Sequence, residues 1–164
     1  MEPEEIGNLL SDLFTEQITT YFKTAWLQES FSEIDESLLF REWLFFNSFI
    51  MFQGVSAYFH GSSDGHLILD VFHKACGDKF VRSKVFSSYS DYFGQVISRY
   101  KTYSNCLSDQ RPPNPLHWMA KQFCQYCSKE NDIIPIMPII AASEWFTHCS
   151  IKTKELVKGL SEKI

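Results

Sequence analysis

The chain has 164 residues, 45% apolar, 16% aromatic and 21% charged, with a formal net charge of −5. That length suits one domain, the composition excludes a disordered chain, and the acidic balance argues against a nucleic-acid binder, which carries a basic face. Fifteen Phe, seven Tyr and four Trp allow a bulky core, since each ring buries roughly 150–250 Å².

Pro3 followed by Glu4 and Glu5 places a proline and two acids in a first helical turn, where both are favoured. From there Ile6, Leu9, Leu10, Leu13, Phe14, Ile18, Tyr21 and Ala25 recur at helical spacing against Asn8, Asp12, Glu16, Thr19 and Lys23, so one helix is expected over residues 4–28. The polar stretch 30–37 connects it to the next, with Ser32 and Asp35 as candidate N-caps.

Leu38–Phe59 is the organising stretch. No charge occurs from Trp43 through Ser63, and large side chains fall on nearly every side at helical spacing. A helix apolar all round is a buried one. The uncharged span is about long enough to cross a bilayer, but Asn47, Ser48, Gln53, Gly54 and Ser56 interrupt it, and amphipathic helices flank it. A core helix over about 35–59 is therefore expected, with no membrane span.

After the turn at 60–65, Ser62 or Ser63 should cap a third helix ending at Gly77 and burying Ile68, Val71, Phe72, Ala75 and Cys76. A fourth, over about 81–107, carries Val85, Phe86, Tyr89, Tyr92, Phe93, Val96, Ile97, Tyr100, Tyr103 and Leu107 on one face; Ser87, Ser90, Asp91, Gly94 and Ser98 form the other. Residues 108–115 are a loop, and Asn114–Pro115 reads as the cap and first residue of a fifth helix to about 128. A second link contains Pro135 and Pro138. From about 137 one long helix is expected, with Ala142, Trp145, Phe146, Cys149, Leu156, Val157 and Leu160 on its stripe and a weak point at Lys152–Thr153. No segment alternates with a period of two. The fold expected is an all-α, single-domain bundle spanning 1–164, of about six helices packed around the central one.

The acidic N-terminus lacks the positive charge that precedes the apolar run of a signal peptide. A cytoplasmic location follows as the expectation, with the five Cys as reduced thiols.

Four constellations could carry chemistry. Cys124 and Cys127 form a CxxC pair that His148 and Cys149 could complete as metal ligands, although that spacing is unusual for zinc, and Cys127 shares an apolar stripe with Leu116, Ala120 and Phe123. Core packing is the expectation there. His66, Asp70 and His73 share a face of the third helix that lies opposite its apolar side, which reads as solvated. Glu144 and His148, at i and i+4, fall short of the carboxylate-bridged di-iron pattern and read as an exposed pair. Glu42, Gln53 and His60 project from one side of the central helix at i, i+11 and i+18, and are candidates to line an internal polar pocket. The plainer account is a structural hydrogen-bond network, with Glu42 paired to an Arg or Lys.

Tyr89, Tyr92, Tyr100 and Tyr103 make a strip suited to a wet interface, and Gly94 on the small polar face opposite would let another helix approach. These residues are the candidate self-association surface. No P-loop, dinucleotide fingerprint, GxSxG elbow or HExxH motif is present, and no cofactor is implied. The functional expectation is a non-enzymatic helical protein–protein interaction or regulatory module forming a homodimer. The alternative is a small-molecule or metal-binding bundle.

Overall fold

A computed structural model of the chain describes residues 1–59, 61–128 and 136–162. Among these residues there are seven helices and no strand: α1 (Pro3–Tyr21), α2 (Ala25–Ser30), α3 (Glu36–Phe59), α4 (Ser63–Arg82), α5 (Tyr89–Leu107), α6 (Pro115–Tyr126) and α7 (Ile136–Ser161). The all-α bundle expected from the sequence is the architecture observed. His60 and residues 129–135, Pro135 among them, lie outside the described residues.

α3 is the axis. Twelve of its residues are buried, among them the unbroken run Glu42, Trp43, Leu44, Phe45 and Phe46. α1, α4, α5, α6 and α7 all pack on α3, and α1 with α4, α4 with α5, α5 with α6, and α6 with α7 form successive joins of a ring around it. The aromatic side chains of α3 reach the ring in different directions. Trp43 meets Trp145 of α7 with centroids 4.9 Å apart, Phe46 stacks on Phe123 of α6 at 4.6 Å, and Phe49 meets Tyr100 of α5 at 5.4 Å. Each pair adds ~0.5–1.5 kcal/mol beyond its buried area.

Caps set most of the helix starts. Leu38 N–H donates to Asp35 Oδ1 at 3.0 Å, Gly65 N–H to Ser62 Oγ at 3.1 Å, and His117 N–H to Asn114 Oδ1 at 2.9 Å. Each satisfies a donor that the first helical turn leaves without a partner. Pro138 lies in the first turn of α7, where its missing N–H removes no intrahelical bond.

Three boundaries differ from expectation. The first helix does not run to residue 28: it ends at Tyr21, and a short α2 follows after the extended Thr24. The break lets Phe22, Leu27 and Phe31 all turn inward to burial. Gln28 stabilises the corner, its Nε2 donating to the Phe22 carbonyl at 2.9 Å. The third helix does not stop at Gly77 but continues to Arg82. Gly77 is there for packing, because a Cβ at that position would fall 2.5 Å from the Tyr89 ring and 2.8 Å from the buried Tyr92 ring. The fourth helix accordingly starts late, at Tyr89, with Ser88 accepting from Asp91 N–H as its cap.

Candidate functional site

The ring around α3 is open between its last member and its first, and a cleft lies there. α1 contributes Leu13, Phe14, Gln17, Ile18 and Tyr21, the floor on α3 is Trp43, Asn47, Ile50 and Met51, and α7 supplies Trp145, Cys149, Lys152, Thr153 and Leu156. The cavity measures about 260 Å³. Its aromatic wall is fixed by directed bonds. Trp145 Nε1 donates to Asn47 Oδ1 at 2.9 Å, and Asn47 Nδ2 donates to the Trp43 carbonyl at 2.8 Å. The Trp145 ring also meets Tyr21 edge-on at 5.4 Å. Asn47, which interrupts the apolar run of α3, thus orients the cleft wall.

The far side of α7 has a second apolar surface. At about 100° per residue, Ile136, Met137, Ile140 and Ile151 fall within an arc of about 100°, roughly opposite the buried Ala142, Thr153 and Leu160. Ile136, Met137 and Ile151 are 55%, 66% and 54% exposed, which sets them apart from a core face. Glu144 lies on the same arc and His148 just beyond its edge, and with Leu116, Ser143, Thr147 and Ile151 they line an open groove against the start of α6. Ile136, Met137 and Ile140 cluster at the start of α7, and Ile151 lies about 16 Å further along the same arc, which also carries Thr147, Lys154 and Lys158.

The residues singled out from the sequence are distributed differently. Glu42 is buried, and Arg99 Nε donates to its Oε2 at 2.8 Å while Arg99 NH2 donates to Oε1. The guanidinium also lies over the Tyr126 ring, 3.7 Å from its centroid. This bidentate pair uses up the carboxylate. Gln53 is half-buried eleven residues further on, about 16 Å along the helix axis, so it shares no pocket with Glu42. His60 lies outside the described residues. The internal polar pocket is therefore not assembled around Glu42, and the carboxylate serves a structural ion pair.

In the tyrosine strip, Tyr92 and Tyr103 are fully buried and Tyr100 is half-buried, so α5 turns most of this face to the core. Tyr89 and Gly94 remain exposed. Burial pushes the phenols of Tyr92, Tyr100 and Tyr103 well above their ordinary range.

On α4, His66 and Asp70 are exposed as expected, but His73 is not. It is 7% exposed, with its ring against Phe72, Phe93 and Tyr100. The solvated reading of that face fails at His73 because α5 packs across it. Burial lowers its pKa from an ordinary 6.5 to about 4, so the ring is neutral at pH 7. The Tyr100 hydroxyl lies 3.4 Å from Nε2.

Cys124 and Cys127 are buried in the core, while His148 is exposed and Cys149 half-buried in the cleft. Among the described residues no three His, Cys, Asp or Glu side chains are grouped to hold a metal ion. Burial pushes the Cys124 and Cys149 thiols up to about 12, leaving neither as the thiolate that nucleophilic or redox chemistry needs at neutral pH.

Among the described residues no helix is long and apolar enough to cross a membrane. Comparison with known proteins returns no match to a family model, to a curated sequence or to a solved structure. The class that the fold itself defines is an all-α bundle built on one buried central helix.

Proposed function

We propose that this chain is a non-enzymatic helical interaction module that self-associates, two copies meeting through the outer face of α7. The observation that carries the reading is the stripe of Ile136, Met137, Ile140 and Ile151 on a helix whose opposite side already packs in the core. The stripe is self-complementary. In an antiparallel pair related by a two-fold axis near residues 144–147, Ile140 of one copy opposes Ile151 of the other, and each such contact occurs twice. The same register sets the Glu144 carboxylate of one copy beside Thr147 and His148 of the other, where it can accept hydrogen bonds. Met137 then reaches toward the groove between Ile151 and Leu116. A contact between single helices is at the low end of interface size, which makes the pair reversible.

The Tyr89–Gly94 side of α5 offers less, since its largest neighbours, Tyr92 and Tyr103, are already buried. Sedimentation velocity across the micromolar range tests the assignment. The native chain should show a concentration-dependent dimer, and the double variant Ile140→Asp/Ile151→Asp should sediment as a monomer. A substitution at Tyr89 or Gly94 should leave the equilibrium unchanged. A native chain that stays monomeric over the whole range would refute self-association. A second reading, a small-molecule-binding bundle, is favoured by one observation, the aromatic cleft between α1 and α7.

A further inference from the structure

We propose that the cleft between α1 and α7 is a binding site for a small amphipathic acid, with a single ring system or short alkyl chain held between the tryptophans and a carboxylate at the rim. Size comes first. A dry apolar cavity of ~150 Å³ holds one benzene ring, and pockets for drug-sized ligands start near 300 Å³. At about 260 Å³ the cleft lies between these, which suits a bicyclic ring or a short chain. A partner helix needs an interface of roughly 1,000 Å² and gains little from a cavity that takes one ring.

The walls set the chemistry of the buried part. Phe14, Ile18, Trp43, Ile50, Met51, Trp145 and the other apolar side chains dominate the walls, with Asn47 on the floor and Thr153 on the α7 side as polar groups among them. The Asn47 amide gives one of its two acceptor positions to Trp145 and one of its two N–H donors to the Trp43 carbonyl. A ligand body rich in polar groups would find few partners on these walls and would lose hydration that an apolar one never had. The walls also arrive preformed. Trp145 is held by a hydrogen bond and by ring contacts on both Trp43 and Tyr21, so little side-chain freedom remains to be lost on binding.

The rim sets the chemistry of the head group. Gln17 comes from α1 and Lys152 from α7, on opposite walls. The Lys152 side chain is 66% exposed, and its ammonium lies 3.5 Å from the Glu155 carboxylate, a solvated pair worth little by itself. It is the cationic side chain of the cleft lining, and Gln17 adds an amide donor. A carboxylate can accept from both, whereas an ammonium is repelled by Lys152 and finds only the Gln17 amide oxygen as an acceptor. The cleft-lining side of α7 is distinct from the Ile140–Ile151 stripe, so this site is independent of self-association.

Isothermal titration calorimetry of the full chain with decanoate, decylamine, 2-naphthoate and 2-naphthylmethylamine tests the assignment. The indole N–H resonance of Trp145 is followed by NMR in parallel. Expected is saturable binding of one carboxylate per chain, with a shift of that resonance and affinity about fivefold or more above the matching amine, as one solvated ion pair allows. Lys152→Glu should remove or reverse that preference. Two variants that fill the cavity, Leu13→Trp and Cys149→Phe, should each abolish binding. Thermal unfolding identifies any variant that fails to fold, and the other then decides. The Ile140→Asp/Ile151→Asp chain should bind as the native one does. The proposal is overturned if no carboxylate saturates, if a folded, filled variant binds as tightly as the native chain, or if acid and amine bind equally.

Discussion

Where α4 meets α5, folding keeps one base neutral. His73 titrates at 6.5 in an exposed chain and at about 4 here, because burial disfavours its charged form. Between those values the unfolded chain takes up a proton that the native state refuses. The stability His73 permits is therefore complete above pH 6.5 and is lost as pH falls toward 4, by about 3 kcal/mol at 1.36 kcal/mol per pH unit. Urea unfolding of native and His73→Phe chains between pH 7 and pH 4 checks this: the variant should lose less stability over the window, and parallel curves would contradict the assignment. Glu42 is the complementary case, a buried charge whose partner is fixed. Removing the carboxylate in Glu42→Ala strands Arg99, whose side chain is only 20% exposed, and should cost about 3–5 kcal/mol. Equilibrium denaturation reads this directly, and a cost below about 1 kcal/mol would mean that Arg99 finds water instead.

Between elements, close approach overrides helix propensity. Gly54 sits where α3 crosses α7, and a Cβ there would fall 2.4 Å from the Thr153 Cγ2. Ala at an ordinary helix position gains about 1 kcal/mol over Gly. At this crossing it must instead force α7 outward, at the ~1–3 kcal/mol that overpacking costs. Gly54→Ala should lower the thermal midpoint, and adding Thr153→Ser, which removes the obstructing methyl, should restore it. A higher midpoint for the single variant would show that α7 yields without loss. The same physics explains Gly77. Read along the sequence it marks a helix end, yet in the fold it admits Tyr92 against α4.

For the molecule as a whole, α7 is the element with two loyalties. One side packs on α3 and α6, while the other presents Ile140 and Ile151 outward. The two surfaces make separable demands. Charging the outer stripe should abolish the proposed self-association and leave the monomer's unfolding free energy within about 0.5 kcal/mol of native, as for surface changes away from packed features. Denaturation at a concentration where both chains are monomeric measures this, and a large loss would place the stripe in the core after all. Burying a stripe of this kind in a second copy also removes an exposed apolar patch that would otherwise favour aggregation.

Local chemistry carries across from sequence to structure: the all-round apolar pattern of Leu38–Phe59, and the caps at Asp35, Ser62 and Asn114, each depend on residues within one or two helical turns. Ile136, Met137, Ile140 and Ile151 carry no regular period, and that they face outward is set by the packing of α7 on α3 and α6. Other features required the fold. The corner after Tyr21 forms because it lets Phe22 pack on Phe40 and Phe31 on Phe123, with Leu27 also buried. His73 is buried because α5 crosses it, and Glu42 is neutralised by Arg99, 57 residues away. The cleft is more distant still from any local pattern. Trp145 and Asn47 are 98 residues apart and meet only once α7 has crossed α3. Sequence by itself determined which segments are helical and which helix is central, because those depend on periodicity and on neighbours in the chain. Tertiary structure decided which polar groups are paired, which aromatic face is free and where a ligand could enter, because each of those is set by a contact between helices remote in the chain.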